Sequence, residues 1–420
     1  MKQRVFWFSV LIVSFLLIAA WGARYDYDLG GSQLFRQLNL LFAVLGFFFF
    51  FLQFLLSTRH PLMEKGFGLD KMILKHRHVG RIALGFLLLH PVFFFLARGD
   101  VFIRGTSMTI GLIVLLGLVV TASLASLYKK VGLPYELWLK VHKANYVLFP
   151  LVLVHVFDRA TPGSPLFYFW VALAAVFFLL LVFKILREMD IRRNPYQVVE
   201  VKQEAKDIWS LFFRGRPLDY QPGQFMYLRL LRKGRISSSH PFTLSSSPTR
   251  EFLAVTPKDL GDFTATVKDT KPGDKAYVDA PYGVFSFLNY DCKDIIFIAG
   301  GIGITPFISM IRYMYDKNIK IPATLLWANK SEEELCCRDE LARMEEGMDN
   351  LKVVYVMSQQ EDWKGEKGRI SRSMIEKYKT GIRDIDYFVC GPPPMSKAVM
   401  AALKDMGVPK DKIHHELFEF

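Results

Sequence analysis

Four histidines, His76, His90, His142 and His155, are placed so that they could work in pairs. His76 and His90 lie 14 residues apart, which on an α-helix leaves them about 40° apart on one face and roughly 21 Å apart along the axis. His142 and His155 lie 13 apart, which gives a similar rise of about 20 Å but turns the second ring about 140° from the first in an ideal helix. Pro150 stands between them, and a proline kink there is expected to change the winding. If the two segments run in the same direction, His76 is level with His142 and His90 with His155. Two facing imidazoles at each level supply both axial ligands of a haem iron and leave no open coordination site, giving two stacked b-type haems. Helix packing is the alternative use of the four rings. His78 points about 160° away from His76 and reads as an interfacial residue, beside haem propionates together with Arg77 and Lys143. His60, in a polar loop before a proline, is assigned no chemistry.

The elements that must carry these rings are apolar. The chain has 420 residues, enough for two or three domains, and 51% of them are hydrophobic, with 37 Phe and a mean hydropathy of +0.22. That excludes disorder and argues against an ordinary soluble enzyme. Runs long enough to span about 30 Å of hydrocarbon lie near 5–23, 35–56, 79–97, 108–127, 141–157 and 166–186, which predicts six transmembrane helices. The first run, with Lys2 and Arg4 ahead of it, reads as a retained helix rather than a cleaved leader. Through Asp190 there are 19 Lys/Arg against 9 Asp/Glu, and beyond it 34 against 31, so the positive excess belongs to the apolar half. The bases sit between apolar runs, which argues for membrane topology and against nucleic acid as a partner. With the N-terminus inside, the inward segments carry 13 Lys/Arg and the outward ones 5 (Arg24, Arg36, Arg98, Arg104, Arg159). This predicts a multi-pass protein of the cell membrane, surrounded by lipid, with both termini cytoplasmic. Four cysteines, Cys292, Cys336, Cys337 and Cys390, include no C-x-x-C pair and read as reduced thiols.

Beyond Asn194-Pro195 short alternating runs replace the long apolar ones and predict a small antiparallel barrel. From Asp294 an apolar strand, a glycine turn and a helix open a doubly wound layout with strands near 323–328, 352–357 and 387–390. The expected domains are a six-helix membrane bundle over 1–190, a β-barrel over 191–290 and an α/β domain over 291–420. In the turn Ala299-Gly300-Gly301-Ile302-Gly303-Ile304-Thr305-Pro306, small residues would let the backbone approach a pyrophosphate at a helix N-terminus. Cys390-Gly391-Pro392 closes a later strand and puts a thiol at the sheet edge where such folds bind ligands.

Taken in order, HPFTLSSSP (240–248), GDFT (261–264), PYG (281–283), GGIGITPF (300–307), CGPPPM (390–395) and HHELFEF (414–420) resemble the ferredoxin-NADP-reductase type of flavin and nicotinamide module. Behind helices with paired histidines, the chain from about residue 35 onward resembles the NADPH oxidase and ferric reductase superfamily, and specifically its compact prokaryotic members, which points to a bacterial plasma membrane. The resemblance implies that His240, Pro241, Phe242 and Thr243 line the isoalloxazine of FAD, with Thr243 near its reactive nitrogen and His240 near the phosphates. Ser245 and Ser246, with Gly261, Phe263 and Thr264, would hold the FAD pyrophosphate. Gly300, Gly301, Gly303 and Thr305 would meet the dinucleotide, and Cys390 and Gly391 the nicotinamide. A terminal aromatic, Phe418 or Phe420, would cover the flavin and shift as nicotinamide docks. Ser358 is followed by Gln359 where relatives that prefer the 2′-phosphate place Arg, while Lys330 offers a cation nearby, so NADPH with NADH as a second donor is the expectation.

The function so implied is transmembrane electron transfer: NAD(P)H to FAD to the inner haem, then the outer haem, then an acceptor outside. Dioxygen, reduced to superoxide, is the expected acceptor, because the outer connections near 24–34, 98–107 and 158–165 are short and hold no carboxylate cluster for a metal chelate. A ferric reductase with the same electron path is the alternative, and a membrane-tethered flavin diaphorase without haem is the second. No EF-hand loop or proline-rich recruitment tract is visible, so no obligatory cytosolic activator is expected.

Overall fold

The computed structural model describes residues 2–22, 31–98, 105–379 and 384–416, in two compact units, Met1–Arg187 and Glu188–Phe420. The first unit is helical: α1 (Lys2–Gly22), α2 (Gly31–Ser57), α3 (Pro61–Phe67), α4 (Leu69–Arg98), α5 (Thr106–Leu127), α6 (Tyr135–His142), α7 (Asn145–Arg159) and α8 (Pro165–Arg193), which runs on past the boundary. Among the described residues five helical stretches are long and apolar enough to cross a membrane: Gly31–Ser57, Lys71–Arg98, Thr106–Leu127, Tyr135–Arg159 and Pro165–Arg193. The sixth expected span corresponds to α1, whose described apolar part, Trp7–Ile18, is shorter. At 1.5 Å per residue such a stretch covers only about 18 Å of the hydrocarbon.

The bundle is organised around α2. Its run Phe47 to Phe51 is buried throughout, and the Phe149 ring of α7 lies 5.3 Å from Phe47, 4.8 Å from Phe54 and 4.4 Å from Phe177. Lipid tails compete with apolar side chains for apolar partners, so close packing rather than water exclusion must hold such helices together. Two glycines provide it: a Cβ on Gly46 would come within 2.8 Å of Leu87, and one on Gly117 within 2.8 Å of Leu148.

The span expected as a single helix over 141–157 is broken. α6 ends at His142, and α7 begins at Asn145 after a two-residue turn. Asn145 ties the joint, its Nδ2 donating to the His142 carbonyl at 2.8 Å and its Oδ1 accepting from Thr121 at 3.2 Å. The rewinding expected at Pro150 is therefore made at residues 143–144, and Pro150 lies within α7. Lys143 and Ala144 keep right-handed helical dihedrals, and the tighter i→i+3 bonds Ala144 N–H to Val141 and Tyr146 N–H to Lys143 change the phase of α7 relative to α6, so the 140° offset of an uninterrupted helix does not apply.

The second unit holds two sheets. The first has β1 (Tyr196–Ala205), β2 (Ile208–Arg214), β3 (Phe225–Arg232), β4 (Arg235–Ile236), β5 (His240–Thr243), β6 (Leu253–Val255) and β7 (Lys275–Tyr282), with the short α9 (Asp262–Ala265) before β7. Its order is β4-β3-β7-β1-β2-β6, with β5 branching from β3, and every pairing is antiparallel. The ladder is an open path; its two free sides are joined by a main-chain bond from Ser245 N–H to the Ala254 carbonyl at 2.8 Å. The second sheet is parallel throughout: β8 (Ile295–Gly300), β9 (Ala323–Asn329), β10 (Leu351–Met357), β11 (Glu366–Lys367), β12 (Asp386–Cys390) and β13 (Ile413–Glu416), in the order β11-β10-β9-β8-β12-β13. Helices α10 (Thr305–Asp316), α11 (Arg338–Glu346), α12 (Arg372–Lys377) and α13 (Pro393–Asp405) connect the strands. The chain leaves β8 toward β9 and later returns to β8's other side as β12, so the strand order reverses there. Ligands of open α/β sheets bind at such a point, beyond the strands' carboxyl ends.

Candidate functional site

The first site lies among the membrane helices. The rings of His76 (α4) and His142 (α6) have centres 5.9 Å apart, and those of His90 (α4) and His155 (α7) 6.4 Å apart, at interplanar angles of 72° and 74°. Two imidazoles that each bring a nitrogen within about 2 Å of one metal ion stand roughly 6 Å apart between ring centres. Both pairs have that separation. Among the described residues no cluster of three or more His, Cys, Asp or Glu is placed to hold a metal ion, so these sites offer two side-chain ligands each, the number that an iron already held by a porphyrin takes.

Neighbouring helices orient the rings. His90 Nδ1–H donates to the Asn39 carbonyl of α2 at 3.1 Å, and His155 Nδ1–H to the Ser107 carbonyl of α5 at 2.8 Å, with the Ser107 hydroxyl at 3.3 Å. Fixing Nδ1 as the donor leaves Nε2 as the ligating atom. A Cβ on Gly111 would come within 3.0 Å of the His155 ring, so glycine makes the seat for it. Trp138 stacks on His142 at 5.6 Å and Tyr128 on Trp138 at 4.7 Å. His78 donates to its own helix at Leu74 O and is exposed, and the His60 ring lies 4.8 Å from Phe183.

Asn39, Gln53, Ser107 and Thr121, absent from the reading of the sequence, complete the surroundings. Gln53 adjoins His76, and Thr121 adjoins His142. Asn39 and Gln53 are 14 residues apart on α2, and Ser107 and Thr121 14 apart on α5, the same interval as His76 and His90 on α4. Polar residues repeating at the histidine interval in flanking apolar helices are the signal that would have found them.

The second site lies in the other unit, where the first sheet meets the carboxyl ends of β8 and β12. Thr243 ends β5 opposite Phe225; it is buried and its Oγ1 has no hydrogen-bond partner. Phe225 also pairs with Tyr282, and a Cβ on Gly283, whose φ is +95°, would lie 3.0 Å from Phe225 and 3.5 Å from Glu416 Oε1. Glu416 pairs in turn with Cys390. Burial, with the Glu416 carboxylate beside it, pushes the Cys390 thiol well above its usual range, so it stays a neutral thiol. The missing side chains of the glycine turn are used as clearance: a Cβ on Gly303 would lie 2.5 Å from the Cys390 carbonyl, and one on Gly300 2.5 Å from Met395 Sδ. Gly301, at φ +52°, has open space, while its carbonyl accepts from Trp327 Nε1 at 2.9 Å. Gly391 closes against Gly300, with 3.0 Å from its would-be Cβ to Gly300 N. The Thr305 hydroxyl donates to the Ile302 carbonyl at 3.1 Å, which also accepts the Thr305 N–H; Pro306 follows with no N–H of its own, and no side chain caps the N-terminus of α10.

The HPFT and GDFT segments meet. His240 stacks on Phe263 at 4.1 Å, Phe242 lies 5.9 Å from Phe263, and Arg232 lies over the same ring at 5.7 Å. Pro241 pairs with Tyr227 in the ladder. Thr264 Oγ1 accepts from Gly261 N–H at 2.9 Å and closes its own turn. Ser245 and Ser246 do something else: their hydroxyls bond Thr256 at 3.0 Å and Tyr220 at 2.8 Å, while their carbonyls accept from Arg312 at 2.6 Å and Ser309 at 2.7 Å. Here they join the two halves of the unit rather than lie open to a ligand. Arg312 is buried and also meets Glu340, with Nε to Oε1 at 3.0 Å; its cation holds the Glu340 carboxyl below the usual range against the opposing effect of burial. Lys330 is exposed at the end of β9, where its carbonyl accepts from Gln359 N–H at 2.9 Å. Phe418 and Phe420 lie outside the described residues.

Residues 42–153 match the family described as ferric reductase like transmembrane component, residues 194–286 an FAD-binding domain, and residues 297–401 an oxidoreductase NAD-binding domain. The chain is 28% identical over 236 residues, 54% of its own length, to the glycine betaine monooxygenase reductase subunit of Pseudomonas aeruginosa, of which the match covers 64%. It is 30% identical to the sulfhydrogenase 1 subunit gamma of Pyrococcus furiosus, over 52% of this chain and 79% of that one. The chain thus spans just under two thirds of the first of these relatives. A structural match is the flavohem-like FAD/NAD-binding domain of nitric oxide dioxygenase from Vibrio cholerae, at 22% identity and a TM-score of 0.49, covering 54% of this chain and 98% of that one.

Proposed function

Since the chain belongs by its architecture to the NADPH oxidase and ferric reductase superfamily, we propose that it carries electrons across a membrane from cytosolic NAD(P)H to dioxygen outside, releasing superoxide. The observation that carries this reading is the pair of facing imidazole couples, at 5.9 and 6.4 Å, in a helical unit of membrane-spanning character. When bound, FAD converts a two-electron hydride into single electrons, and two bis-histidine haems relay them through the bilayer.

The chain's own residues do the rest. His76 with His142 and His90 with His155 would each hold an iron porphyrin through Nε2, and the porphyrins would supply one-electron transfer between the flavin and the acceptor. Thr243 offers an otherwise unpartnered hydroxyl to the flavin edge, and His240 with Phe263 forms a flat aromatic wall beside it. Cys390, kept neutral, and Glu416 border the place where nicotinamide docks. The glycine turn, open at Gly301 and set just ahead of α10, receives the pyrophosphate. The excess of Lys/Arg in the inward segments supports a cytosolic placement of both soluble domains. With a negative interior, each outward electron gains roughly 2.3 kcal/mol per 100 mV.

Purified protein given FAD and NADPH is expected to reduce cytochrome c in a reaction suppressed by superoxide dismutase; an insensitive signal contradicts dioxygen as acceptor. A ferric chelate is the second reading, favoured by the family that residues 42–153 match. Anaerobic reduction of a siderophore-bound ferric ion at a comparable rate would support it.

A further inference from the structure

The glycine turn and Cys390 stand at the carboxyl ends of β8 and β12. With nicotinamide toward β12 and the pyrophosphate at the turn, the adenosine half of a dinucleotide runs the other way, across the ends of β9 and β10, where neighbouring strands are about 5 Å apart. Those two ends are tied together. Ser358 donates to the Asn329 carbonyl from its N–H at 2.9 Å and from its hydroxyl at 3.1 Å, and Gln359 N–H donates to the Lys330 carbonyl at 2.9 Å. Asn329 is 4% exposed, and neither atom of its side-chain amide has a hydrogen-bond partner among the described residues, a state that a polar ligand relieves.

One carboxylate on this edge is fixed from both sides. Gln360 Oε1 accepts from Glu332 N–H at 2.9 Å, Gln360 Nε2 donates to Glu332 Oε1 at 3.2 Å, and Arg338 Nη1 donates to Glu332 Oε2 at 3.3 Å. Each oxygen keeps a lone pair for a further donor. The cations around it are engaged: Arg338 with Glu332, Lys206 with Glu333 at 3.3 Å and Lys258 with Glu334 at 2.8 Å. Lys330 has the Glu334 carboxylate against its own N–H at 3.2 Å, so the charge it would offer a phosphate is offset close by. A carboxylate accepts from ribose hydroxyls, whereas a 2′-phosphate, carrying about −1.5 to −2 at neutral pH, meets a like charge there.

We propose that the ends of β9 and β10 seat the adenosine ribose, and that Glu332, positioned by Gln360 and Arg338, makes NADH the preferred hydride donor over NADPH. This reverses the order of preference expected from Lys330 and leaves NADPH as the weaker-binding donor. The inference rests on the reading of this unit as one that oxidises a nicotinamide dinucleotide.

The test is steady-state reduction of ferricyanide by the purified, FAD-loaded full chain with each donor in turn. The kcat/KM for NADH is expected to exceed that for NADPH about tenfold, through KM rather than kcat, and the ratio should shrink as salt screens the repulsion. Glu332→Gln, which keeps the size of the side chain, should bring the two KM values together and remove most of that salt dependence. An unaltered protein that uses NADPH as well as NADH, or better, would overturn the inference, and this result stays readable if the variant fails to fold. A Glu332→Gln protein with an unchanged ratio, or with both KM values raised equally, would overturn it too. If neither donor bleaches the bound flavin, the reading of the unit itself is contradicted, a different failure from these.

Discussion

Thr243 and Cys390 are two buried side chains of the second unit on which the proposed function relies. Thr243 Oγ1 is buried with no hydrogen-bond partner, a state that native proteins rarely leave uncompensated. If the flavin is its partner, Thr243→Val removes one hydrogen bond of about 1 to 1.5 kcal/mol and weakens FAD affinity roughly tenfold, which quenching of flavin fluorescence on titration will read. An unchanged affinity would contradict the placement of the flavin edge at Thr243. A hydrogen bond with Cys337, then burial, raises the thiol of Cys336; burial raises that of Cys390, and that of Cys292 to about 12. A raised folded-state pKa contributes stability that is complete below the unfolded value near 9 and is lost as pH climbs through the folded one. The melting temperature should therefore fall between about pH 9 and 12, and serine at position 292 should flatten that fall. The carboxyls of Glu340, Asp316 and Glu334 are lowered by their cationic and hydroxyl partners, so their contribution is present above the usual carboxylate range and disappears on acidification. Motif order alone picked out Thr243 and Cys390 as candidates. The roles of Ser245 and Ser246 were not, because a seryl hydroxyl suits a phosphate and a tyrosine equally and only the fold places Tyr220 and Thr256 beside them.

The elements follow hydrophobic period and turn chemistry closely, and depart from it where partners on other segments decide. The alternating runs became an antiparallel sheet and the apolar strands a parallel one, as period and spacing imply. The break between α6 and α7 was not legible, since Pro150 is the visible helix breaker while the joint is made by Asn145 bonding to Thr121, 24 residues earlier. Deleting Ala144 would shift α7 by one residue, turning His155 by about 100° relative to His142. The expected outcome is one haem per chain in place of two by pyridine haemochrome assay; two haems retained would mean that the joint does not set the outer pair. At the joint of the two sheets Arg312 is buried against Glu340 and the Ser245 carbonyl. Removing one partner of such a pair leaves a charge stranded, at about 3 kcal/mol. Glu340→Ala should therefore lower the melting temperature and weaken FAD retention together, since the same arginine holds the loop after β5; a melting temperature equal to that of the unaltered protein would show the pair to be dispensable.

For the whole molecule, composition announces a membrane half and a reductase half, and the family matches at 42–153, 194–286 and 297–401 divide it the same way. The described residues supply five helical stretches of spanning length where six were expected, because α1 offers only a short described apolar stretch. The facing of the histidines was readable from their spacing on one helix and from direction on two. The carbonyls that hold Nδ1 of His90 and His155 leave only an indirect trace, the 14-residue interval that Asn39 shares with Gln53 and Ser107 with Thr121, since every residue has a carbonyl and packing selects which one is used. Function at this scale depends on whether the ladder holds iron. The most direct measurement is the haem content and reduced-minus-oxidised spectrum of the purified chain: the account predicts two b-type haems per polypeptide, falling to one in His90→Ala with NADPH-driven dye reduction retained. A protein without Soret absorbance, or one that keeps both haems after His76, His90, His142 and His155 are all replaced, would contradict it.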